Sequence, residues 1–520
     1  LFKILSKLKK GFKIPKIEFD KKKLDKYLVL FTILALFFLS ISPNTHGDSL
    51  GYHFVVAKKL LSSGKYFTDI THFHSLLAGS GEIIIAIGLF FGAEQFGGLI
   101  QFSGLISIFG IFKKIDNKNK YYYLLLVLTS PVILFLSSTA KPQLFHICSS
   151  AVVFSLYFFR NSKNLNLSEE KWKILLSLLI LVVSINAKFN FILSAFLLGA
   201  YIFYISIKNN NYKFFIYISG FIFLLFYLPI VFWKYKNLGG NFFQYLYSPI
   251  PLNIIGFEEF KDHLARYGRF RNYSDIILPT NFSQFTNAIG IAFFYILLLN
   301  FRNKNIQIIF LIIISHLSVN YFFGQFIGRS LLEPLFWILL ISAKYEPSIK
   351  LKIFEYCCRL QAFIVILAII FGVFTILPGS FSKYQKDRVL SKNANGYALF
   401  EWANTVLSEK NVVLSTHKAM SLGKSIYIST DFARYVNFSD IKSKILVEKI
   451  IDKKPKFLLA YGYPEPILAE FENCVGSLKY YKKLLGEFET RNPFNRGRKY
   501  SGFIYEFKLS EFPKCMKEMT

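Results

Sequence analysis

Carboxylates are scarce in this chain: 32 Asp and Glu stand against 62 Lys and Arg, a formal net charge of +30. An excess of that size raises nucleic acid as a partner. No stretch outside the apolar runs interleaves aromatic and basic residues, so the charge is read instead as lysines in loops and at headgroup level, with no nucleic acid. Cysteine is scarce as well, and five are too few for a disulfide scaffold. Cys148, Cys357 and Cys358 fall in or beside apolar runs and read as inert thiols. Cys474 and Cys515 lie in the polar tail and can join in one disulfide where that tail faces an oxidising compartment. The tail has no G-x-G-x-x-G and no P-loop, which leaves nucleotide binding there without its signature. A cleavable signal peptide is not expected, because the first apolar run lacks a small-residue cleavage site and reads as a retained helix.

Apolar surface, by contrast, is abundant. The chain is 53% hydrophobic, holds 60 Phe and has a mean hydropathy of +0.39. Its repeated apolar runs have the length of bilayer-crossing helices, about 16–20 residues. Residues 1–26 carry ten lysines against Glu18, Asp20 and Asp25 and read as a basic cytoplasmic N-terminus. From there the spans alternate at about 27–42, 83–112, 121–136, 143–159, 174–187, 190–207, 214–233, 286–301, 306–322, 327–343 and 361–377. The long second run contains Gly88, Gly92, Gly97 and Gly98, which leaves open whether it is one helix or two. Every inner loop of this scheme carries Lys or Arg. The expectation is a transmembrane domain over 27–379 with external loops 43–82 and 234–285, N-terminus inside. Residues 380–520 read as an external α/β domain. Its helices are expected at 394–409 and 440–453, with short strands at 411–415, 425–429, 456–461 and 500–507.

The stretch His46-Gly47-Asp48-Ser49-Leu50-Gly51-Tyr52-His53 emerges where the first run leaves the membrane. Asp48 is placed to cap a helix starting at Ser49. That helix carries Leu50, Phe54, Ala57 and Leu61 as one apolar stripe, the pattern of a helix lying in the interface plane. An acidic residue just after the first transmembrane helix, then Tyr-His and a helix ending in Leu-Leu-x-x-Gly-x-Tyr, resembles the GT-C glycosyltransferases. These polytopic enzymes use polyprenyl-phosphate sugars and include the protein O-mannosyl and lipid A aminoarabinose transferases. The matching residues are Asp48, Tyr52, His53, Leu60, Leu61, Gly64 and Tyr66. The resemblance spans roughly residues 27–340 in helix order and loop placement, and runs residue by residue only around Asp48.

What the resemblance implies is an α-helical polytopic membrane protein, with about eleven transmembrane helices and a C-terminal soluble α/β domain. It also implies hexosyl or pentosyl transfer from a polyprenyl-phosphate donor to a lipid, glycan or protein acceptor on the external face of the cytoplasmic membrane. Asp48 is then a general base or a metal ligand. Lys141, Lys188 and Arg329, each beside a membrane boundary, are placed to stabilise a departing lipid phosphate, with Tyr52 and His53 beside them. Arg266, Arg269 and Arg271 form the densest external basic cluster; they either fork onto a phosphate or pair with Glu258, Glu259, Asp262 and Asp275 of their own loop. Many relatives carry a second acid between the third and fourth helices, where this chain has Lys141-Pro142-Gln143.

A metal reading stays open beside these. Asp69 and Glu82 with Asp48 would make an oxygen-rich site for magnesium or manganese. His72 and His74 share a face only in a strand. Two other functions compete: an envelope polysaccharide polymerase or ligase working through the loop arginines, and a transporter. Against the transporter stand the lack of an inverted repeat and the few ionisable residues in mid-helix.

Overall fold

The computed structural model describes residues 21–65, 70–159, 167–250, 254–267, 273–279, 282–347, 349, 351–438, 443–463, 465–488 and 498–515. Most of the expected basic N-terminus, together with Tyr66, Asp69, Arg269 and Arg271, lies outside them. Helix α1 (Lys21–Ser40) buries Asp25, Val29, Thr32, Leu36 and Leu39, residues spaced three and four apart and hence on one face. Helix α2 (Phe54–Ser63) is entered through a π-helical turn, Ser49–His53. Then come α3 (Gly81–Phe90), α4 (Phe96–Lys114), α5 (Lys120–Leu128) and α6 (Pro131–Ser137). These are followed by α7 (Leu144–Phe158), α8 (Leu167–Ala187), α9 (Ile192–Lys208), α10 (Tyr212–Ile222) and α11 (Leu228–Leu238). Helix α12 (Phe257–Tyr267) lies in the long external loop, and α13 (Lys304–Phe322), α14 (Gly328–Lys344) and α15 (Lys352–Ile376) complete the bundle.

Helix α14 is the centre of that bundle: every residue from Leu331 to Ala343 is buried, as expected of a helix apolar all round. At the end of the bundle remote from Ser40, Arg359 of α15 donates both guanidinium nitrogens to Asp25 of α1, a fork that fixes the two helices side by side.

By length and composition, five helical stretches among the described residues can cross a membrane, or six when the bent pair α5–α6 counts as one. The other expected crossings are shorter, bent or more polar. The long second run resolves into two helices, α3 and α4. The third bends by 62° just before Pro131, whose ring cannot follow an unbroken helix. The run expected at 286–301 is no α-helix: it forms 3₁₀ turns, Phe282–Asn287 and Ile291–Leu298. Its backbone is held by side chains instead, with Gln361 Oε1 accepting from Ile291 N at 2.6 Å and Ser130 Oγ donating to Ile289 O at 2.8 Å. Irregular backbone at such depth survives only where protein groups satisfy it.

After α16 (Lys383–Asn393) and α17 (Tyr397–Val406) the C-terminal region forms one five-stranded sheet in the order β2-β1-β3-β5-β4. Strands β1 (Val412–Ser415), β2 (Ile426–Ser429) and β3 (Phe457–Gly462) are parallel. Strands β4 (Val475–Phe488) and β5 (Arg498–Phe507) extend the sheet antiparallel. Helix α18 (Ser443–Asp452) stands near its expected place. Strand β4 was not expected from the sequence. It is the edge of the sheet, where lysine discourages pairing with another chain.

The sheet does not hang free of the bundle. Leu50, Phe54 and Ala57 share one core with Leu399, Phe400, Met420 and Tyr427. Phe73, Leu76 and Phe260 share another with Leu414, Ile428 and Phe432. Leu50, Phe54 and Ala57 of the apolar stripe therefore face the C-terminal domain, while Leu61 stays exposed; periodicity announces a buried face without saying what covers it. Cys474 and Cys515 form a disulfide across 41 residues. Replacing both with serine is expected to lower the stability of the C-terminal domain by about 2–4 kcal/mol, read as an earlier melting transition that reductant reproduces in the unmodified protein.

Candidate functional site

Asp48 does not cap its helix. Its side chain makes no hydrogen bond to the following turn, and Oδ2 instead accepts from Lys141 Nζ at 2.8 Å, 93 positions away. The Asp48 backbone N donates to His46 Nδ1 at 3.1 Å. Lys141 is 3% exposed, whereas Asp48 keeps 43% of its side-chain surface open although protein surrounds it, the condition of a residue lining a recess. Burial pushes the Asp48 carboxyl up, but the charges of Lys141, His46 and Arg329 and the Lys141 hydrogen bond outweigh it. The carboxyl is held well below its usual range.

The turn carrying Lys141 is fixed from three sides. Gln101 Oε1 of α4 accepts from Gln143 N at 3.1 Å and Phe145 N at 3.0 Å, capping the start of α7. Ser49 Oγ accepts from Ala140 N at 3.3 Å. Gly97 lets α4 touch this turn, since a Cβ there would lie 2.9 Å from Ala140 Cβ.

Lys188 leaves the end of α8 and donates to Gln143 Oε1 at 3.5 Å. Burial, and then the charges of Lys141 and Arg329, hold its ammonium well below the ordinary lysine value, with Asp48 and Glu82 pulling the other way. Arg329, in the first turn of α14, donates to Gln325 Oε1 at 3.3 Å, and its charge is felt at Asp48, Tyr52 and Lys188. Opposite them, His53 Nδ1 donates to Glu82 Oε1 at 2.5 Å with both side chains 1% exposed. Glu82 Oε2 also accepts from Gly79 N at 2.8 Å. Burial outweighs the pull of Glu82 and keeps the His53 imidazole below its ordinary value. The Tyr52 ring stacks on His53 at 3.8 Å. Burial, and then the charges of Asp48 and Glu82, raise its phenol, which stays protonated. Lys141 thus touches Asp48 directly, and the charges of Arg329 and Lys188 act on the same place, where His53 holds Glu82.

The remaining expected residues fall elsewhere. Arg266 is exposed near the end of α12, where its Nε donates to Asp262 O at 3.4 Å; Arg269 and Arg271, like Asp69, lie outside the described residues. His74 leaves the metal set for the C-terminal domain, its Nδ1 donating to Asp431 Oδ2 at 2.6 Å. His72 is buried beside it. Among the described residues no three His, Cys, Asp or Glu gather as a metal site. Asp48 faces Lys141 and Arg329, surroundings that oppose a further cation, and Glu82 is engaged by His53. Asp69, the remaining carboxylate of the expected cation set, lies outside the described residues.

Sequence reasoning missed the C-terminal contribution. A Cβ on Gly51 would lie 3.3 Å from Lys418 O, and Lys58 Nζ donates to Ser421 O, so the loop after β1 clamps the helix behind Asp48. The signal available was the apolar stripe, which had to be covered by something.

Residues 1–390 match the family model described as the DUF1420 N-terminal domain, and residues 391–520 that described as the DUF1420 C-terminal domain. The chain belongs to the DUF1420 family. No curated protein matches it in sequence. Among solved structures, this DUF1420 chain is similar to the crystal structure of ArnT from Cupriavidus metallidurans bound to undecaprenyl phosphate. The TM-score is 0.53 at 11% identity, over 92% of this chain and 98% of that one. The apo state of the same protein gives a TM-score of 0.51 at 10% identity, over the same shares. The oligosaccharyltransferase of Archaeoglobus fulgidus in the apo form gives 0.47 at 12%, over 96% and 78%. At such identities the likeness is one of fold: this DUF1420 chain has the fold of that ArnT structure, a polytopic helical bundle followed by a C-terminal sheet domain.

Lys188 supplies a test of the electrostatics. Its folded pKa lies below its unfolded value near 10.5, so its charge opposes folding below the folded pKa, and that cost fades as pH rises toward 10.5. Lys188→Met is therefore expected to raise the melting temperature at pH 7 by about 2 °C or more. The gain should shrink at pH 10, as followed by thermal denaturation at both pH values.

Proposed function

We propose that this DUF1420 protein is a membrane glycosyltransferase. It moves a sugar from a polyprenyl-phosphate donor to a lipid, glycan or protein acceptor on the external face, with the N-terminus inside and the C-terminal domain outside. The observation that carries the reading is Lys141 on a half-open Asp48, with the charges of Arg329 and Lys188 acting on the same place. The ArnT structure that shares this fold is bound to undecaprenyl phosphate, a ligand that would bring a negative charge to a membrane boundary.

In the reaction, an acceptor oxygen forms a bond to the anomeric carbon while the bond from that carbon to the phosphate oxygen breaks. The electron pair stays on the phosphate, whose charge the three cations stabilise. Asp48 accepts a hydrogen bond from the acceptor hydroxyl and faces the positive charge developing at the anomeric carbon. A carboxyl held so low in pKa is a weak proton store, since efficient general bases titrate near the working pH. Its main contribution is electrostatic, and the hydroxyl proton passes on to water.

The test is transfer in vitro from a polyprenyl-phosphate sugar. Asp48→Asn is expected to lower it about 100-fold or more while the protein stays folded and inserted, and cells lacking the protein should accumulate the lipid-linked sugar. Retained transfer by that variant would remove Asp48 from the mechanism. Gradient-driven uptake by vesicles containing the protein would favour a transporter instead.

A further inference from the structure

Below the cations lies a second polar group that the chemistry above does not use. Ser194 of α9, His316 and Asn320 of α13 and Glu333 of α14 meet inside the bundle. Ser194, His316 and Glu333 are 1%, 2% and 5% exposed. Ser194 Oγ donates to Glu333 Oε2 at 2.5 Å. Asn320 Nδ2 donates to His316 Nδ1 at 3.1 Å and to His316 O at 2.9 Å. An amide nitrogen only donates, so the ring proton of His316 sits on Nε2, which faces Ser194 Oγ at 3.3 Å and Glu333 Oε2 at 3.6 Å. Polar side chains at such depth are costly to bury and are kept for a purpose.

Their place in the helices shows the purpose. Ser194 stands six residues after Lys188, at the start of α9. Glu333 stands four residues after Arg329 on α14, on the same helix face. The bond between them therefore ties the start of α9, which the short turn Phe189–Phe191 joins to Lys188, to the start of α14, which carries Arg329. Those cations repel one another, and repulsion inside protein is screened far less than in water. Without a tie the helix starts would relax apart.

We propose that Glu333 is a positioning residue: through Ser194 and His316 it holds the α9 and α14 starts together, so that Lys188 and Arg329 face one phosphate. The inference rests on the reading of that site as a lipid-phosphate site. Ser194→Ala removes one oxygen, Glu333→Leu removes the acceptor, and Glu333→Gln keeps an oxygen for Ser194.

Polyprenyl monophosphate in detergent is the probe, with Kd, transfer kinetics and melting temperature read together. Ser194→Ala and Glu333→Leu are each expected to weaken binding about tenfold and to raise donor KM more than they lower kcat. Glu333→Gln should restore most of the affinity, and the Ser194→Ala/Glu333→Leu double variant should be no worse than Glu333→Leu alone. Unchanged Kd with a lowered melting temperature would overturn the proposal, leaving a tie that only stabilises. Should the unmodified protein not bind the probe, the phosphate reading fails separately. The tie is then judged by acetylation of Lys188 followed by mass spectrometry: faster labelling in Ser194→Ala supports it, and an unchanged rate refutes it.

Discussion

One ion pair organises the end of the bundle that meets the C-terminal domain: Lys141 Nζ on Asp48 Oδ2 at 2.8 Å. It joins the segment that follows α1 to the turn between α6 and α7, and much of the surrounding structure keeps those two segments in register. Gln101 caps the α7 start, Ser49 holds Ala140, and Gly98 lets α4 lie against the Ser40 carbonyl, 2.4 Å from where a Cβ would be. A pair of this kind is strong only when its partners are held. Here one partner is almost wholly buried while the other keeps an open side. That asymmetry separates a site from a structural salt bridge, since the open carboxylate can still meet a ligand.

The C-terminal sheet belongs to the same constraint. Its first loop covers the apolar stripe behind Asp48, and its Asp431 anchors His74 in the external segment that leads to Glu82. The external loops, polar and glycine-containing, have few means of fixing themselves. The domain supplies the apolar partners that the bilayer was expected to supply. The site is thus built on packed elements, which suits chemistry that depends on charges staying put.

How much of this was readable in the sequence follows from which signals are local. Alternating apolar runs and basic loops announced a polytopic helical bundle, and strand–helix alternation announced the α/β tail. Asp48, Lys141, Lys188 and Arg329 were singled out because each borders an apolar run, and the fold brings their charges together. The 3₁₀ passage at Ile291–Leu298 was hidden because Gln361 and Ser130, far along the chain, satisfy its backbone. The Asp48–Lys141 pair replaced the expected cap for a similar reason: a cap is a local bond, and a distant ammonium outbid the neighbouring amides. Glu82 and His74, both of the expected metal set, each have a partner that spacing cannot reveal, His53 in one case and Asp431 in the other. Strand β4, rich in lysine, was not among the expected strands because an edge strand is shaped by what it must repel.

The account stands or falls on where a lipid phosphate sits. The decisive measurement is an experimental structure of the protein in lipid with a polyprenyl monophosphate bound. The phosphate is expected within hydrogen-bonding reach of Lys141, Lys188 and Arg329, with Asp48 on its external side. A phosphate seated instead on the Arg266 loop, with the recess beside Asp48 empty, would contradict it.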